Sequence, residues 1–573
     1  MLLRFQFRIL SALAIILVLA SCSKTNKQGR MVPKEAGFVM HVSGKSLSGK
    51  MSMAELKKAD WYIRMKDSLD ADSTAPMVLK KMAAYDKNTG IDSLSDYIIF
   101  SDNSSTSGTH MVVEVGLKDA AAFEVFIKSV YPQGNITKDG ELRELAVENK
   151  GVLAWNNEKV VIGFLTPVNT FNDKINANDS GNTVDIPQLV TYCKNLYTLT
   201  EDNSMAKNEK FTDMVNTEGD MHAWVNYEKL FNNMPDMGAL SMLKLDNFLV
   251  GNITAYTLNF ENGRISVKSK GYAGKELAAI LKKYSVGQIN TDMLQRIPSR
   301  DVVGVFAMHF DPAGLKELLS LTGMEGLADL FLAKNGFTID DFIKANKGDI
   351  MIAVSDLILK KDTITTEGPM GESGTLIRQS PDASYIFSAS INDKDAFNKI
   401  IGFAKKETED IPLPQVSYNT SKEYFAIGNS PDYISKYLAG GKSDQPFITK
   451  LSGSPIGLYI NLQKIIGKSA GWDKQDSVTL KVTDESLKMW DNIIMNGGDY
   501  SNGGMNQSLE INLMDKSTNS LKQLSKYMVT VASLEKDNIR MRQQAYVPVT
   551  DSVVDIRPTV KPMNRTHQKV RKK

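Results

Sequence analysis

Four short stretches of this chain repeat one alternation of apolar and polar positions. Phe38-Val39-Met40-His41-Val42, Ala223-Trp224-Val225-Asn226-Tyr227, Phe306-Ala307-Met308-His309-Phe310 and Leu458-Tyr459-Ile460-Asn461-Leu462 are apolar at the first, third and fifth positions. That period of two is the mark of a half-buried strand. It predicts that Met40, Val225, Met308 and Ile460 face a core. The fourth position is His or Asn each time, and a helical segment follows. In the third copy Asp311 reads as the cap of that helix and Pro312 as its first residue.

A second signature pairs with the first. Val113 to Leu117 leads into Asp119 and an apolar stripe at Phe123, Phe126 and Ile127; Ala389 to Asn392 leads into Asp393, then Phe397, Ile400 and Ile401. Tyr256 to Phe260 turns at Asn262-Gly263, a strong hairpin signal, into Ile265 to Lys268, followed by a helix over Lys275 to Tyr284. Leu509 to Leu513 precedes a longer helix carrying Leu521, Leu524, Met528, Val531 and Leu534. The spacing predicts an internal repeat. The expected fold class is α+β: two tandem, internally duplicated units with largely antiparallel sheets and helices packed on one face. The units span 31–285 and 297–545, with a linker at 286–296. The polar stretches Asn172 to Thr183, Thr363 to Pro381 and Asn496 to Gly504 read as surface loops.

The first 22 residues carry an address. Arg4 and Arg8 precede an apolar run from Ile9 to Ala20, broken only by Ser11 and ending in Leu19-Ala20-Ser21-Cys22. Twelve residues are too few to cross ~30 Å of hydrocarbon. The four residues resemble the bacterial lipobox, which implies a signal peptide at 1–21 and lipidation of Cys22. A polar tether at 22–30 follows. From Arg557 to Lys573 seven basic residues stand with no acid, in a basic tail at 546–573. Sixty-eight basic against sixty-six acidic residues leave the body nearly neutral, which argues for no nucleic-acid partner. Cys193, the only other cysteine, shares a helical face with Leu189, Leu196 and Tyr197, where it reads as a buried, inert thiol.

The lipobox, the short tether, the Pro-led opening Val32-Pro33-Lys34-Glu35-Ala36 and the long duplicated body together resemble Bacteroidetes lipoproteins of the domain-of-unknown-function family 4836. The resemblance carries no catalytic residues. It implies a lipid-anchored envelope protein. Ser23 after the cysteine, and the absence of acids before Glu35, point to an outer-membrane lipoprotein facing the periplasm.

No motif supplies a reaction. Gly44-Lys45-Ser46, Gly441-Lys442-Ser443 and Gly467-Lys468-Ser469 lack the glycine five residues earlier that a phosphate loop needs; Val39, Lys436 and Leu462 stand there. Asp70 to Thr74 begins like a calcium loop, but Ala75 and Lys81 occupy the Gly and Glu positions. The five histidines form no short metal-ligand pair. His41 and His309 alternate with Asn across the four copies, which suits a hydrogen-bonding partner for the adjacent turn. Met234, Met237 and Met242 read as core filling. No nucleophile elbow occurs. No catalytic, cofactor-binding or metal residue is therefore assigned, and no cofactor is expected.

Asp followed by Ser or Thr and then an aliphatic residue, Met or Thr resembles a Bacteroidetes O-glycosylation sequon, at Ser68, Ser73, Ser93, Thr363, Ser477 and Ser552. The leading functional reading is a lipid-anchored cell-envelope protein that binds or scaffolds, held to the membrane by Cys22, with a protein or glycan partner. An envelope hydrolase with a dispersed site and an outer-membrane assembly or chaperone-like factor are the alternatives.

Overall fold

The computed structural model describes residues 28–58, 62–63, 89–103, 108–147, 151–166, 185–231, 249–334, 336–367, 373–408, 416–469 and 477–545. Eighteen strands are described: β1 Phe38–Val42, β2 Tyr97–Asp102, β3 Thr109–Gly116, β4 Thr137–Asp139, β5 Leu142–Val147, β6 Gly151–Trp155, β7 Lys159–Thr166, β8 Met221–Asn226, β9 Ile253–Glu261, β10 Arg264–Tyr272, β11 Val302–His309, β12 Asn346–Glu367, β13 Ser373–Ile391, β14 Ser417–Thr420, β15 Tyr424–Gly428, β16 Ile456–Asn461, β17 Trp490–Ser501 and β18 Gly504–Leu513. All pair antiparallel, in one sheet. The fold is α+β.

Pairing sets the order β4-β5-β6-β7-β3-β2-β1-β8-β9-β10-β18-β17-β16-β11-β12-β13-β15-β14. The seam is β10 against β18, with Ile265 opposite Ile511 and Val267 opposite Leu509. Outward from the seam the order is 10-9-8-1-2-3-7 on one side and 18-17-16-11-12-13-15 on the other. The four copies of the first signature are β1 and β8, adjacent in one arm, and β11 and β16, adjacent in the other. The second signature marks the ends of β3 and β13. There the Asp119 carboxylate accepts from Ala121 and Ala122 N–H, and the Asp393 carboxylate from Ala396 N–H. Both outer edges are short strands, a form that discourages further pairing.

Several local expectations match. The helix Lys275–Tyr284 has the expected bounds. Asp311 caps Pro312–Leu321 through Ala313 N–H. Glu261 pairs Arg264 across Asn262-Gly263, where Gly263 takes φ +68° and an added Cβ would lie 2.5 Å from Lys516. Two stretches read as loops are strands instead. Thr363–Glu367 pairs Ser373–Ile377 in a ribbon that continues the β12–β13 ladder. Asn496 to Gly504 closes β17 onto β18 through Asn502-Gly503, both left-handed as a tight hairpin turn requires. Glycine and hydroxyl content suggested loops; cross-strand pairing overrode it. Asn172 to Thr183 lies outside the described residues. Ile289, Met293 and Leu294, in the stretch read as a linker, are buried in one cluster with Val305, Ala307 and Ile448.

Helices cover both faces of the sheet rather than one. On the first face Val39, Phe100 and Trp224 pack with Leu189, Cys193 and Leu196 of the helix Ile186–Thr198 and Phe211 of the helix Glu209–Asn216. In the other arm the corresponding positions are Val305, Ala307, Met351 and Ala353, packed with Tyr433 and Tyr437 of the helix Pro431–Ala439. On the opposite face Val42 and Tyr97 pack with Phe123 and Phe126 of the helix Ala120–Val130 and with Leu521. Ala389 and Phe425 there pack with Phe397 of the helix Lys394–Thr408.

The positions expected to face the core are the less buried ones, although Met40 still packs against the cluster around Val42 and Tyr97. Val39, Trp224 and Ala307 are fully buried at the second position of the signature, while Met40, Val225, Met308 and Ile460 at the third are partly exposed; Val42, at the fifth position of the first copy, is 1% exposed. Both faces of these strands are apolar, so alternation alone does not identify the packed one. On the less buried face one line of cross-strand neighbours runs Tyr418, Ile427, Phe387, Ile352, Phe306, Leu458, Met495, Leu509, Val267, Leu258, Met221, Val42, Tyr97. A parallel line carries Val354, Gly304, Ile460, Ile493 and Ile511. Clusters of buried side chains cap the ends of the long line, and its middle stays partly open to solvent.

Candidate functional site

The polar groups with most chemical capacity gather where β1 meets β2 and β8. His41 and His222 are register partners on the packed face, each 2% exposed. His222 Nε2 lies 3.0 Å from the Thr217 carbonyl, so that nitrogen carries the proton and Nδ1 keeps its lone pair. His41 Nδ1, 3.0 Å from His222 Nδ1, is then the donor between them. On its far side His41 Nε2 stands 3.3 Å from Asp96 Oδ2, and Gln28 Nε2 donates to the same oxygen at 2.5 Å.

The charges follow from this chain. Burial, and then the His41 ring beside it, push the His222 pKa down to about 4. Burial works against ionising Asp96, but the hydrogen bonds from His41 and Gln28 more than offset it and hold its carboxyl below the usual range. A proton on His41 would donate to both neighbours at once. Both rings are sealed from any substrate.

Beside it, Asp220 is fully buried. Its carboxylate accepts from Ser46 Oγ at 2.6 Å and Phe260 N–H at 2.6 Å and pairs with Lys50. This ties the helix Gly44–Lys50 to the turn before β8 and to the end of β9. In the other arm His309 Nδ1 meets Asp349 Oδ1 at 2.7 Å, and Asn290 Nδ2 reaches the second oxygen at 3.3 Å. The two Asn copies cap the helical turn after their strand: Asn226 Oδ1 accepts from Lys229 N–H, and Asn461 Oδ1 from Lys464 N–H. Asn serves the adjacent turn as expected, whereas His41 and His309 reach across to an aspartate at the start of the neighbouring strand.

Sequence reasoning did not single out Asp96, Gln28 or the His41–His222 pair. His222 precedes its copy of the signature, and only antiparallel pairing brings it to the end of β1. Cys193 is buried among Leu189 and Leu196, and burial pushes its thiol up to about 12. Among the described residues no group of three or more His, Cys, Asp or Glu is placed to hold a metal ion, and no helix is long and apolar enough to cross a membrane.

Of the hydroxyls in the glycosylation-like pattern, Ser93 is part-buried in a turn where Leu94 N–H donates to Asp92 Oδ1. Thr363 is exposed on β12, and Ser477 begins the helix Ser477–Met489. Cys22, Ser68, Ser73 and Ser552, the signal peptide, Asp70 to Thr74, Met234 to Met242 and the basic tail lie outside the described residues.

No family model and no curated protein matches this chain. A solved structure described as crystal form I of TP0453 is similar at a TM-score of 0.24 and 10% identity, over 44% of this chain and 81% of that one.

Proposed function

We propose that this chain is a lipid-anchored protein of the cell envelope that acts by binding or scaffolding rather than by catalysis. The observation that carries the reading is the run into Leu19-Ala20-Ser21-Cys22, with the folded body starting just beyond it. Gln28 is bound to Asp96, Met31 and Val32 are buried, and Lys34 N–H donates to the Asn203 carbonyl. Six residues from Cys22 to Gln28 reach about 20 Å at most, so a lipid on Cys22 would hold the body close to its membrane. The hydrolase reading needs an acid or base that substrate can touch; the His41–His222 pair is closed to substrate, and the part-exposed His309–Asp349 pair is where that reading would have to be tested. The two arms are best read as two copies of one unit, supported by the matching strand orders about the seam. The membrane is taken to be the outer one, with the body facing the periplasm.

The test is labelling with palmitate. Wild-type chain should incorporate it and Cys22→Ala should not; label retained by Cys22→Ala would overturn the anchor. Protease shaving of intact cells tests the face: the protein should survive alongside a periplasmic control.

A further inference from the structure

The helix Glu325–Ala333 turns an apolar stripe to the outside. Leu327, Leu330 and Phe331 share one helical side by their spacing and are 60%, 74% and 54% exposed. None of the nine residues of this helix is buried. Glu325 and Asp329 fall on the side away from Leu327, and Lys334, an exposed residue just past the last turn, returns to the apolar side. Single exposed apolar residues are ordinary, whereas a contiguous group marks a contact with something else. The shape of the stripe narrows the occupant. It is a ridge, and a peptide needs a groove. Covering two leucines and a phenylalanine takes on the order of 300 Å², well short of the ~800 Å² that each partner gives to a stable protein complex. That is too little for a second copy of this chain. The length of chain ahead of the body supplies the rest. Gln28 is fixed to Asp96, and the six residues back to Cys22 reach about 20 Å at most, so a lipid on Cys22 would keep a bilayer within that distance of the fold. An apolar ridge with a basic residue at its end and its acids turned away suits the boundary between headgroups and acyl chains.

We propose that Leu327, Leu330 and Phe331 insert into the surface of the bilayer to which the chain is anchored, with Lys334 at the level of anionic headgroups. The ridge belongs to the arm that contains β11, whereas the tether leads into β1, seven strands away in the sheet and on the order of 30 Å distant. The lipid and the ridge thus hold different arms, and two contacts fix the orientation of a body that a lipid alone would leave free to swivel. The choice of a bilayer rests on the anchor reading of Cys22. An artificial anchor separates the two: failed palmitate labelling would remove the lipid, and a ridge that stays in water on tethered vesicles would remove the insertion.

The experiment uses the chain from residue 22 onward with Cys22→Ser and Cys193→Ala. An N-terminal hexahistidine holds it on vesicles of phosphatidylcholine and phosphatidylglycerol doped with a nickel-chelating lipid. Leu330→Cys carries the environment-sensitive fluorophore NBD. On vesicles its emission should rise, shift to the blue and be quenched by nitroxide-labelled acyl chains. Val125→Cys, at a side chain of the other arm that is 62% exposed, should show none of these changes. Without the hexahistidine, Leu327→Ser, Leu330→Ser and Phe331→Ser together should lower partition onto vesicles at least about tenfold through lost apolar burial, while the variant unfolds in urea as the parent does. Emission at Leu330→Cys that vesicles leave unchanged would overturn the proposal. So would an equal change at Val125→Cys, undiminished partition of the triple variant, or an NBD shift that grows with protein concentration when no vesicles are present.

Discussion

The two faces of β11 differ although both are apolar. Val305 and Ala307 point to a face filled by helices and are 1% exposed each; Phe306 and Met308, between and beside them, are larger and yet partly open. The same contrast separates Val39 from Met40 and Trp224 from Val225. Side-chain size therefore does not report burial in this sheet. The packed face is closed by helices with continuous apolar stripes, such as Leu189, Cys193 and Leu196. The other face is closed firmly only toward its ends. Both faces contribute buried clusters, and the middle of the second face keeps its side chains only partly covered.

Large effects should follow from opening the packed face. Trp224→Ala removes a fully buried indole that meets Phe211 edge-on at 6.0 Å. It should lower unfolding free energy by about 3–5 kcal/mol in urea titration. Aspartate scanning sharpens the contrast. Ala307→Asp buries an unpaired carboxylate and should cost several kcal/mol, whereas Met308→Asp leaves its carboxylate reachable by water and should cost distinctly less. Similar losses at both sites would erase the distinction between faces.

Acid should act through the packed face as well. Folded chain holds His222 neutral, with a pKa near 4 against 6.5 for a free ring. The unfolded chain thus binds the extra proton first as pH falls from about 6.5 to about 4, and stability declines across that window. The lowered Asp96 carboxyl has the same sense: its contribution, present above its unfolded pKa, is lost at still lower pH. The His222 contribution is on the order of 2–3 kcal/mol. Denaturation of His222→Asn at pH 7 and pH 5 should show a flatter pH dependence than the parent; an unchanged slope would remove His222 as its source. The smallest effect belongs to the open face. Leu458→Ala should cost only about 1 kcal/mol, because little of a cavity forms where solvent already reaches.

Part of this was legible in the residues. Asp311-Pro312, Asn262-Gly263 and the apolar stripe of Lys275–Tyr284 are local signals, each acting within a few residues. Cys193 was placed correctly because its helical neighbours carry the stripe. The packed face was not legible: both faces of the signature strands are apolar, and only the seating of helices far along the chain decides between them. The ribbon of Thr363–Glu367 against Ser373–Ile377 was missed because the Ser, Thr, Gly and Pro content of Thr363 to Pro381 mimics a loop, while the pairing continues a longer ladder. His41 and His222 are 181 residues apart, and no spacing rule joins them. They meet because β1 and β8 are neighbours.

Cysteine accessibility along β11 tests the two-faced sheet most directly. Single cysteines at Val305, Phe306, Ala307 and Met308, in a Cys22→Ser, Cys193→Ala chain, would be exposed to a maleimide under native conditions. Phe306→Cys and Met308→Cys should react readily, while Val305→Cys and Ala307→Cys stay protected until the chain unfolds. Equal protection at all four positions, or the reverse alternation, would contradict the account.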